Sequence, residues 1–129
     1  MGIIKKSMDL ENVIMSHPVQ VINWTSGANC VPCRNQDRDL AELEDVLDPG
    51  SVGIVSLPFQ SHHREFSKLG NKVLPSINVF VQGRQMTFID TKLRLSDQKG
   101  YKSKPVRSLA GARSKGTLAR VIESALEKL

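Results

Sequence analysis

Hydrophobic and polar residues alternate along the 129-residue chain with two periods, one typical of strands and one typical of helices. Runs rich in Val and Ile predict three internal strands, at residues 19–24, 52–57 and 77–81. Helical spacing of apolar residues predicts four helices, at about residues 9–15, 33–47, 61–69 and 114–129. The last helix has the most regular apolar stripe, formed by Leu118, Val121, Ile122, Ala125, Leu126 and Leu129.

Three shorter segments complete the predicted order. Residues 3–5 form a short first strand, residues 86–91 pair with 77–81 as a hairpin, and residues 106–109 form a short final strand. The order is βαβαβαββα, so helices separate strands that should pair in parallel, and the late hairpin adds an antiparallel edge. We therefore predict an α/β fold with a mixed central sheet flanked by helices, in a single domain over residues 1–129.

The net charge of +5 is concentrated in one region. Between Lys92 and Lys115 eight basic residues face a single acid, Asp97, so this stretch carries +7 and the remaining chain −2. Residues 92–107 have no clear period, and they are interpreted as a basic loop or an extended hairpin tip. Such a loop is either simply solvated or a docking site for an acidic protein. Its only aromatic residue is Tyr101, so nucleic acid is not an expected partner.

No segment predicts secretion or membrane insertion. Lys5 and Lys6 interrupt the apolar start of the chain, so a signal peptide is not expected. No run approaches the roughly 20 apolar residues of a membrane span. Two cysteines are too few for a disulfide scaffold. We expect a cytoplasmic monomer that does not contact membranes.

The two cysteines form a C-x-x-C motif, Cys30-Val31-Pro32-Cys33, between a predicted strand and a predicted helix. Such a motif is a redox dithiol, half a zinc site or a structural pair, and the strand-to-helix context favours the first. At a helix N-terminus the pKa of Cys30 should fall, which favours the reactive thiolate. Cys30 would attack a disulfide and Cys33 would resolve the mixed disulfide. Apart from this disulfide no cofactor is expected.

Zinc is the main alternative at these cysteines. Cys30, Cys33, His62 and His63 could supply four ligands. Adjacent histidines point in different directions on a helix, so they rarely share a metal. Both histidines are interpreted instead as exposed residues at a helix start, and no metal is expected.

Three local patterns resemble the thioredoxin family and together span nearly the whole chain. Trp24 followed by the motif at 30–33 resembles W-x-x-x-C-x-P-C. Residues 70–76, G-N-K-V-L-P-S, are similar to G-x-x-x-[IV]-P-T. Residues 111–118, G-A-R-S-K-G-T-L, are similar to G-A-x-S-K-x-x-L.

The resemblance implies a thioredoxin fold and a protein-disulfide reductase recharged by a thioredoxin reductase, with disulfide-containing client proteins. It assigns Cys30 as the nucleophile and Cys33 as the resolving thiol. Pro75 would be cis and would bring the backbone of Leu74 beside Cys30. The other residues implied to bind substrate or support the site are Trp24, Asn29, Val31, Pro32, Gly111 and Ala112.

Several departures from the family pattern bear on function. Asn29 stands where the family has Trp before the first cysteine, and Ile22 stands where it has a buried Asp. Without that carboxylate Cys33 should deprotonate more slowly, unless water serves. Residues 92–107 are an insertion. These departures motivate an alternative, a redox-inert or weakly active adaptor that binds an acidic partner through the basic loop. Val31 between the cysteines also leaves open a shift toward an oxidase or isomerase.

Overall fold

The computed structural model of the protein describes residues 2–3, 9–26, 29–89 and 105–129. Its strands, in chain order, are β1 Gly2–Ile3, β2 Val19–Thr25, β3 Val52–Pro58, β4 Ser76–Val81, β5 Arg84–Gln85, β6 Phe88–Ile89, β7 Pro105–Val106 and β8 Leu109–Ala110. Its α-helices are α1 Leu10–Ile14, α2 Val31–Glu44, α3 His63–Lys68 and α4 Lys115–Glu127, and a 3₁₀ turn, Phe59–Ser61, precedes α3. The predicted α/β class is confirmed.

The central sheet is mixed, as predicted. Its strands lie in the order β1-β3-β2-β4-β5, and β8 pairs with β4 near its start. The pairs β1/β3 and β2/β3 are parallel, whereas β2/β4, β4/β5 and β4/β8 are antiparallel. Strands β3, β2 and β4 therefore each have a neighbour on both sides, and β2 ends at Thr25, five residues before Cys30.

Successive residues of the strands face opposite sides of the sheet and form two separate cores. On one side α2 and α4 cover a cluster that includes Val21, Ile54 and Ile122. On the other side α1 and α3 cover a cluster that includes Ile22 and Trp24. Every side chain of β2 is buried, which explains why its sequence does not alternate strictly.

The predicted hairpin partner of β4 is wrong. Gln82 and Gly83 both have positive φ, 51° and 80°, so the chain reverses within two residues. The strand that pairs with β4 is therefore β5, and it ends before Met86. Phe88–Ile89 pairs instead with Pro105–Val106, outside the central sheet. The predicted strand at 106–109 is likewise divided between β7 and β8.

Helix ends follow their local signals. Asp9, Cys30 and Ser114 cap α1, α2 and α4, and each side chain accepts a backbone N–H. Helix α2 begins at Val31, two residues earlier than predicted, and ends at Glu44. Gly70, with φ of 88°, follows the end of α3 as predicted.

Two predictions meet the limits of the described chain. Residues 90–104, most of the basic insertion, lie outside the described residues, as do Ile4 and Lys5 of the predicted first strand. Among the helices of the described chain, none has the length and apolar content that a membrane crossing requires.

Candidate redox site

Cys30 and Cys33 form a disulfide at the start of α2. Cys30 is the N-cap residue, and its Sγ accepts a hydrogen bond from the backbone N–H of Cys33 at 3.2 Å. The two Cα atoms lie 5.1 Å apart. Cys33 is only 1% exposed, whereas Cys30 is half-buried. The sulfur at the helix N-terminus is thus the one that a second molecule can reach, and unpaired N–H groups there favour negative charge.

Three segments that were predicted to border Cys30 lie at the same end of the central sheet: the end of β2, the Leu74–Pro75 loop and the segment at Gly111. Trp24, near the end of β2, is opposite Ser76 at the start of β4, so the loops beside these two residues emerge together. The Leu74–Pro75 peptide is cis, as the resemblance implied. The backbone N–H of Gly111 donates to the carbonyl of Pro75 at 2.9 Å, which joins the third segment to the second.

Several residues next to the cysteines and to the cis proline in sequence are exposed. Val31 is 54% exposed and Val73 is 45% exposed. Asn29, Pro32 and Ala112 are also exposed. Isolated exposed apolar residues are ordinary, but Val31 directly follows Cys30 and Val73 lies two residues before the cis Pro75.

Trp24 is fully buried and lies on the α1 and α3 side of the sheet. Its Nε1 donates to Oδ1 of Asn78 at 2.8 Å, and Asn71 Nδ2 donates to the same oxygen at 2.7 Å. Asn71 also accepts from the Ser76 hydroxyl at 3.1 Å. Trp24 is therefore closed to other molecules, and through Asn78 and Asn71 it is connected to Ser76, the residue after the cis proline.

A buried polar cluster beneath the start of α2 was not predicted. Asn23 Nδ2 and Ser56 Oγ each donate to Asp37 Oδ1 at 2.6 Å. Gln36 Nε2 donates to Asn23 Oδ1 at 2.9 Å, and Gln36 Oε1 accepts from the backbone N–H of Arg113 at 2.8 Å. The cluster ties α2 to β2, to β3 and to the segment after Ala112. Its signal was the spacing of Gln36 and Asp37, three and four residues after Cys33, which places them on the same helix face.

The structure has a carboxylate near β2, but at a different position from the buried Asp of the thioredoxin pattern. Ile22, which stands at the family's acidic position when Trp24 is matched, faces α1 and α3 and is remote from the helix of Cys33. Asn23 faces α2 instead and contacts Asp37. The carboxylate on this side of the sheet is therefore supplied by α2.

The prediction that both histidines are exposed is wrong for His62. His62 is 5% exposed, its ring lies 6.3 Å from that of Trp24, and its Nδ1 has no hydrogen-bond partner among the described residues. His63 is exposed and packs against Phe59 at 4.6 Å between ring centroids. Within the described ranges no three His, Cys, Asp or Glu side chains are grouped so that they could hold a metal ion.

No protein-family model matches the chain, and no curated protein sequence matches it either. Solved structures do match. A mutant thioredoxin of Halobacterium salinarum NRC-1 has a TM-score of 0.70 at 16% identity, covering 95% of this chain and 88% of that one. Thioredoxin of Malassezia sympodialis gives 0.68 at 15% identity with coverages of 97% and 90%. Thioredoxin of Plasmodium falciparum gives 0.67 at 14% identity with coverages of 96% and 98%. The chain therefore has the thioredoxin fold and carries a C-x-x-C disulfide in it.

Proposed function

We propose that the protein is a thiol–disulfide oxidoreductase that reduces disulfides of client proteins. The observation that carries this proposal is the asymmetry of the cysteine pair. Cys30 is half-buried at a helix N-terminus, and Cys33 is 1% exposed directly behind it. A client can therefore reach one sulfur, while the other can react only within the same molecule.

The reaction transfers two electrons from the reduced protein to the client. The Cys30 thiolate attacks one sulfur of a client disulfide, which forms a mixed disulfide and releases the other client sulfur as a thiolate. Cys33 then loses its proton and attacks Cys30, which releases the second client thiolate and forms the Cys30–Cys33 disulfide. The leaving thiolates take protons from water. A reductase that uses an external electron donor would return the pair to the dithiol.

Asp37 is our assignment for the acceptor of the Cys33 proton. It lies one helical turn after Cys33, where side chains at i and i+4 are neighbours. Both of its hydrogen bonds reach Oδ1, so Oδ2 has no partner among the described residues. A positioned carboxylate with a free oxygen can accept a proton directly or through one water.

Cysteine variants test the proposal with insulin as the disulfide substrate and dithiothreitol as the recycling reductant. Cys30→Ser should abolish turnover above the dithiothreitol background. In a separate reaction without dithiothreitol, which would itself reduce the intermediate, pre-reduced Cys33→Ser should accumulate a mixed disulfide that mass spectrometry detects at the summed mass of protein and insulin. Circular dichroism should show that both variants keep the fold. Normal turnover by Cys33→Ser would contradict the dithiol mechanism.

The adaptor alternative rests on the sequence of the basic insertion, most of which lies outside the described residues. It predicts that a Cys30→Ser/Cys33→Ser variant keeps its biological function while Lys99→Gln/Lys102→Gln/Lys104→Gln loses it. A cytoplasmic location, a monomeric state and a thioredoxin reductase as partner belong to the proposal of a cellular reductant. An equilibrium potential well above about −200 mV would instead favour an oxidant or isomerase.

A further inference from the structure

A basic groove adjoins the rim of the redox site and is not explained by the disulfide chemistry. It has a volume of about 500 Å³ and is lined by Gly70, Lys72, Pro105, Val106, Arg107, Ser108 and Ala110. No acidic residue is among them. The lining therefore combines positive charge from Lys72 and Arg107 with apolar side chains from Pro105, Val106 and Ala110.

The two cations of the groove are exposed and have no acidic partner in the described part of the chain. Arg107 uses one nitrogen, Nη1, to donate to the carbonyl of Lys68 at 3.2 Å. Its remaining guanidinium donors are available, and a guanidinium can bind a carboxylate with two parallel hydrogen bonds. Lys72 makes no hydrogen bond within the described residues, so its ammonium group adds a second positive charge to the same wall.

Arg107 is held in place by its backbone and its neighbours. Its carbonyl accepts from Asn78 Nδ2 at 3.0 Å, the residue that also anchors Trp24. Its side chain lies against Gly70, where an added Cβ would be 3.3 Å from Arg107 Nε. A cation that is fixed before binding loses less conformational entropy when it binds an anion.

Ser108 adds a polar group to the same wall. It is 8% exposed, and its hydroxyl has no hydrogen-bond partner among the described residues. Buried hydroxyl groups are normally paired, so this one invites an explanation. The hydroxyl is closed to solvent as the side chain stands, and rotation about its Cα–Cβ bond would allow it to donate to an acceptor in the groove.

The groove is continuous with the surface that a client must cover. Ala110 pairs with Ser76, the residue after Pro75, and Gly111 is bonded to Pro75 itself. Arg107 precedes Ala110 by three residues, a reach of at most about 10 Å. A client chain placed at Pro75 and Gly111 can therefore extend a few residues into the groove.

We propose that this groove binds an acidic side chain of the client protein, a few residues from the disulfide that Cys30 attacks. The occupant is a Glu or Asp of the client, because among the described residues the lining offers two cations without an acidic partner and no carboxylate. The inference rests on the proposed function and gives it a substrate class: disulfide proteins with acidic residues beside the reactive cysteine.

The test compares two disulfide-bonded peptides that differ only in a Glu pair or a Gln pair two to four residues from one cysteine. With dithiothreitol as reductant, the wild type should show a kcat/KM about three- to tenfold higher for the Glu peptide at low salt, from two exposed charge pairs. The preference should shrink at about 0.5 M salt. Lys72→Gln/Arg107→Gln should remove it, and Lys72→Gln alone should reduce it without touching any described hydrogen bond.

Two matched double variants serve as controls. Arg84→Gln/Lys128→Gln removes the same charge around a separate surface hollow, and Lys99→Gln/Lys102→Gln removes it from the basic insertion. Both should keep the preference for the Glu peptide. Equal turnover of the two peptides by the wild type would overturn the inference. So would a preference that persists in Lys72→Gln/Arg107→Gln and disappears in Lys99→Gln/Lys102→Gln.

A binding measurement separates this inference from the proposed function. Fluorescence anisotropy with labelled Glu and Gln peptides, in which Ser replaces Cys, needs no turnover. Tighter binding of the Glu peptide that is lost in Lys72→Gln/Arg107→Gln would support the groove even if no peptide were reduced. If the Glu peptide bound more tightly in this way but no peptide were reduced, only the proposed oxidoreductase function would be wrong. Equal binding of both peptides would overturn the groove.

Discussion

At the scale of single residues, the site depends on which face of β2 each side chain occupies. Asn23 and Trp24 are adjacent in sequence, yet Asn23 joins the polar cluster under α2 and Trp24 joins the opposite core. Asp37 connects Asn23 with Ser56. The Asp37 carboxylate thus connects α2 to β2 and β3, and it lies one helical turn after Cys33 on the same face of α2.

Replacing Asp37 should slow the second chemical step without preventing the first. Asp37→Asn keeps an oxygen that can accept from Asn23 and Ser56 but cannot take a proton from Cys33. We expect release of client from the mixed disulfide to slow roughly 10- to 100-fold near neutral pH. Rapid-quench single turnovers would measure attack and release separately.

Asp39→Asn is the matched control for this prediction. Asp39 is two residues further along α2 and has Arg38 at 3.9 Å as its ion-pair neighbour, a weak surface contact. Its replacement should leave both steps unchanged. If release in Asp37→Asn were as fast as in the wild type across the pH range, the role of Asp37 as proton acceptor would be wrong.

The sequence predicted the cysteine pair of the candidate site but only part of what surrounds it. Cys30, Cys33 and Pro75 were identified from local patterns, and the N-cap position of Cys30 and the cis form of the Leu74–Pro75 peptide agree with the structure. Asp37 was missed because its partners lie 14 and 19 residues away in sequence, and only β2/β3 pairing brings them together. His62 was misjudged because its burial results from contacts with Trp24 rather than from its own segment.

At the scale of elements, β3 can lie as close as it does to the turn before β2 because it contains a glycine. A Cβ built at Gly53 would collide with His17 Nδ1 and Gln20 Oε1. These two atoms are hydrogen-bonded to each other at 3.0 Å, and Ser16 Oγ donates to the same Gln20 oxygen at 2.8 Å. Gly53 therefore makes room for a polar cluster against the central strand.

Gly53→Ala should destabilise the protein by about 1–3 kcal/mol, because the new methyl group forces this cluster or β3 to move. Urea unfolding would measure the change in the free energy of unfolding. Gly116→Ala is the matched control. Gly116 lies in α4 with no atom within 4 Å of an added Cβ, so the change should stabilise by up to about 1 kcal/mol. An equal effect of the two substitutions would contradict the steric argument.

Element prediction succeeded for long segments and failed for short ones. The strands β2, β3 and β4 and the helix α4 were located within one or two residues, because each carries a clear apolar pattern. The two-residue strands β5 to β8 have too few residues for a period, and their pairing is set by the turn at Gln82 and Gly83 and by contacts distant in sequence.

At the scale of the whole molecule, two cores share one sheet. The larger core under α2 and α4 contains no tryptophan, and the single Trp24 lies in the core under α1 and α3. Because β2, β3 and β4 contribute side chains to both, loss of packing on one side should loosen the other.

The ion pair of Glu42 with Lys115, 2.6 Å across α2 and α4, lies outside both cores. The hydrogen bond from Lys115, followed by its charge, holds the pKa of Glu42 below its ordinary value of 4.5.

Ile122→Ala should therefore lower the urea midpoint of the unfolding transition measured by Trp24 fluorescence, although Ile122 and Trp24 lie on opposite sides of the sheet. Ile122 is 2% exposed, and its truncation should cost about 2–5 kcal/mol. Trp24 fluorescence and far-ultraviolet circular dichroism should give coincident urea transitions in the wild type and, at a lower midpoint, in Ile122→Ala.

Val46→Ala provides the control for this substitution. Val46 is 80% exposed, so its truncation should change the free energy of unfolding by less than about 0.5 kcal/mol. A Trp24 transition that stayed at the wild-type midpoint in Ile122→Ala, while circular dichroism shifted, would show that the two cores unfold separately.

The hydrogen bond between the Cys33 amide and Cys30 Sγ gives the site its own spectroscopic reporter. Its acceptor is the sulfur that changes its bonding partner in both exchange steps of the proposed cycle and that carries the negative charge only before the first. A thiolate is a stronger acceptor than a disulfide sulfur, since hydrogen bonds to charged groups are stronger. The amide proton of Cys33 should therefore resonate further downfield in the reduced protein, with Cys30 as the thiolate, than in the disulfide. One cross-peak in a ¹⁵N-labelled sample would then follow the redox state of the protein without an added dye or coupled enzyme.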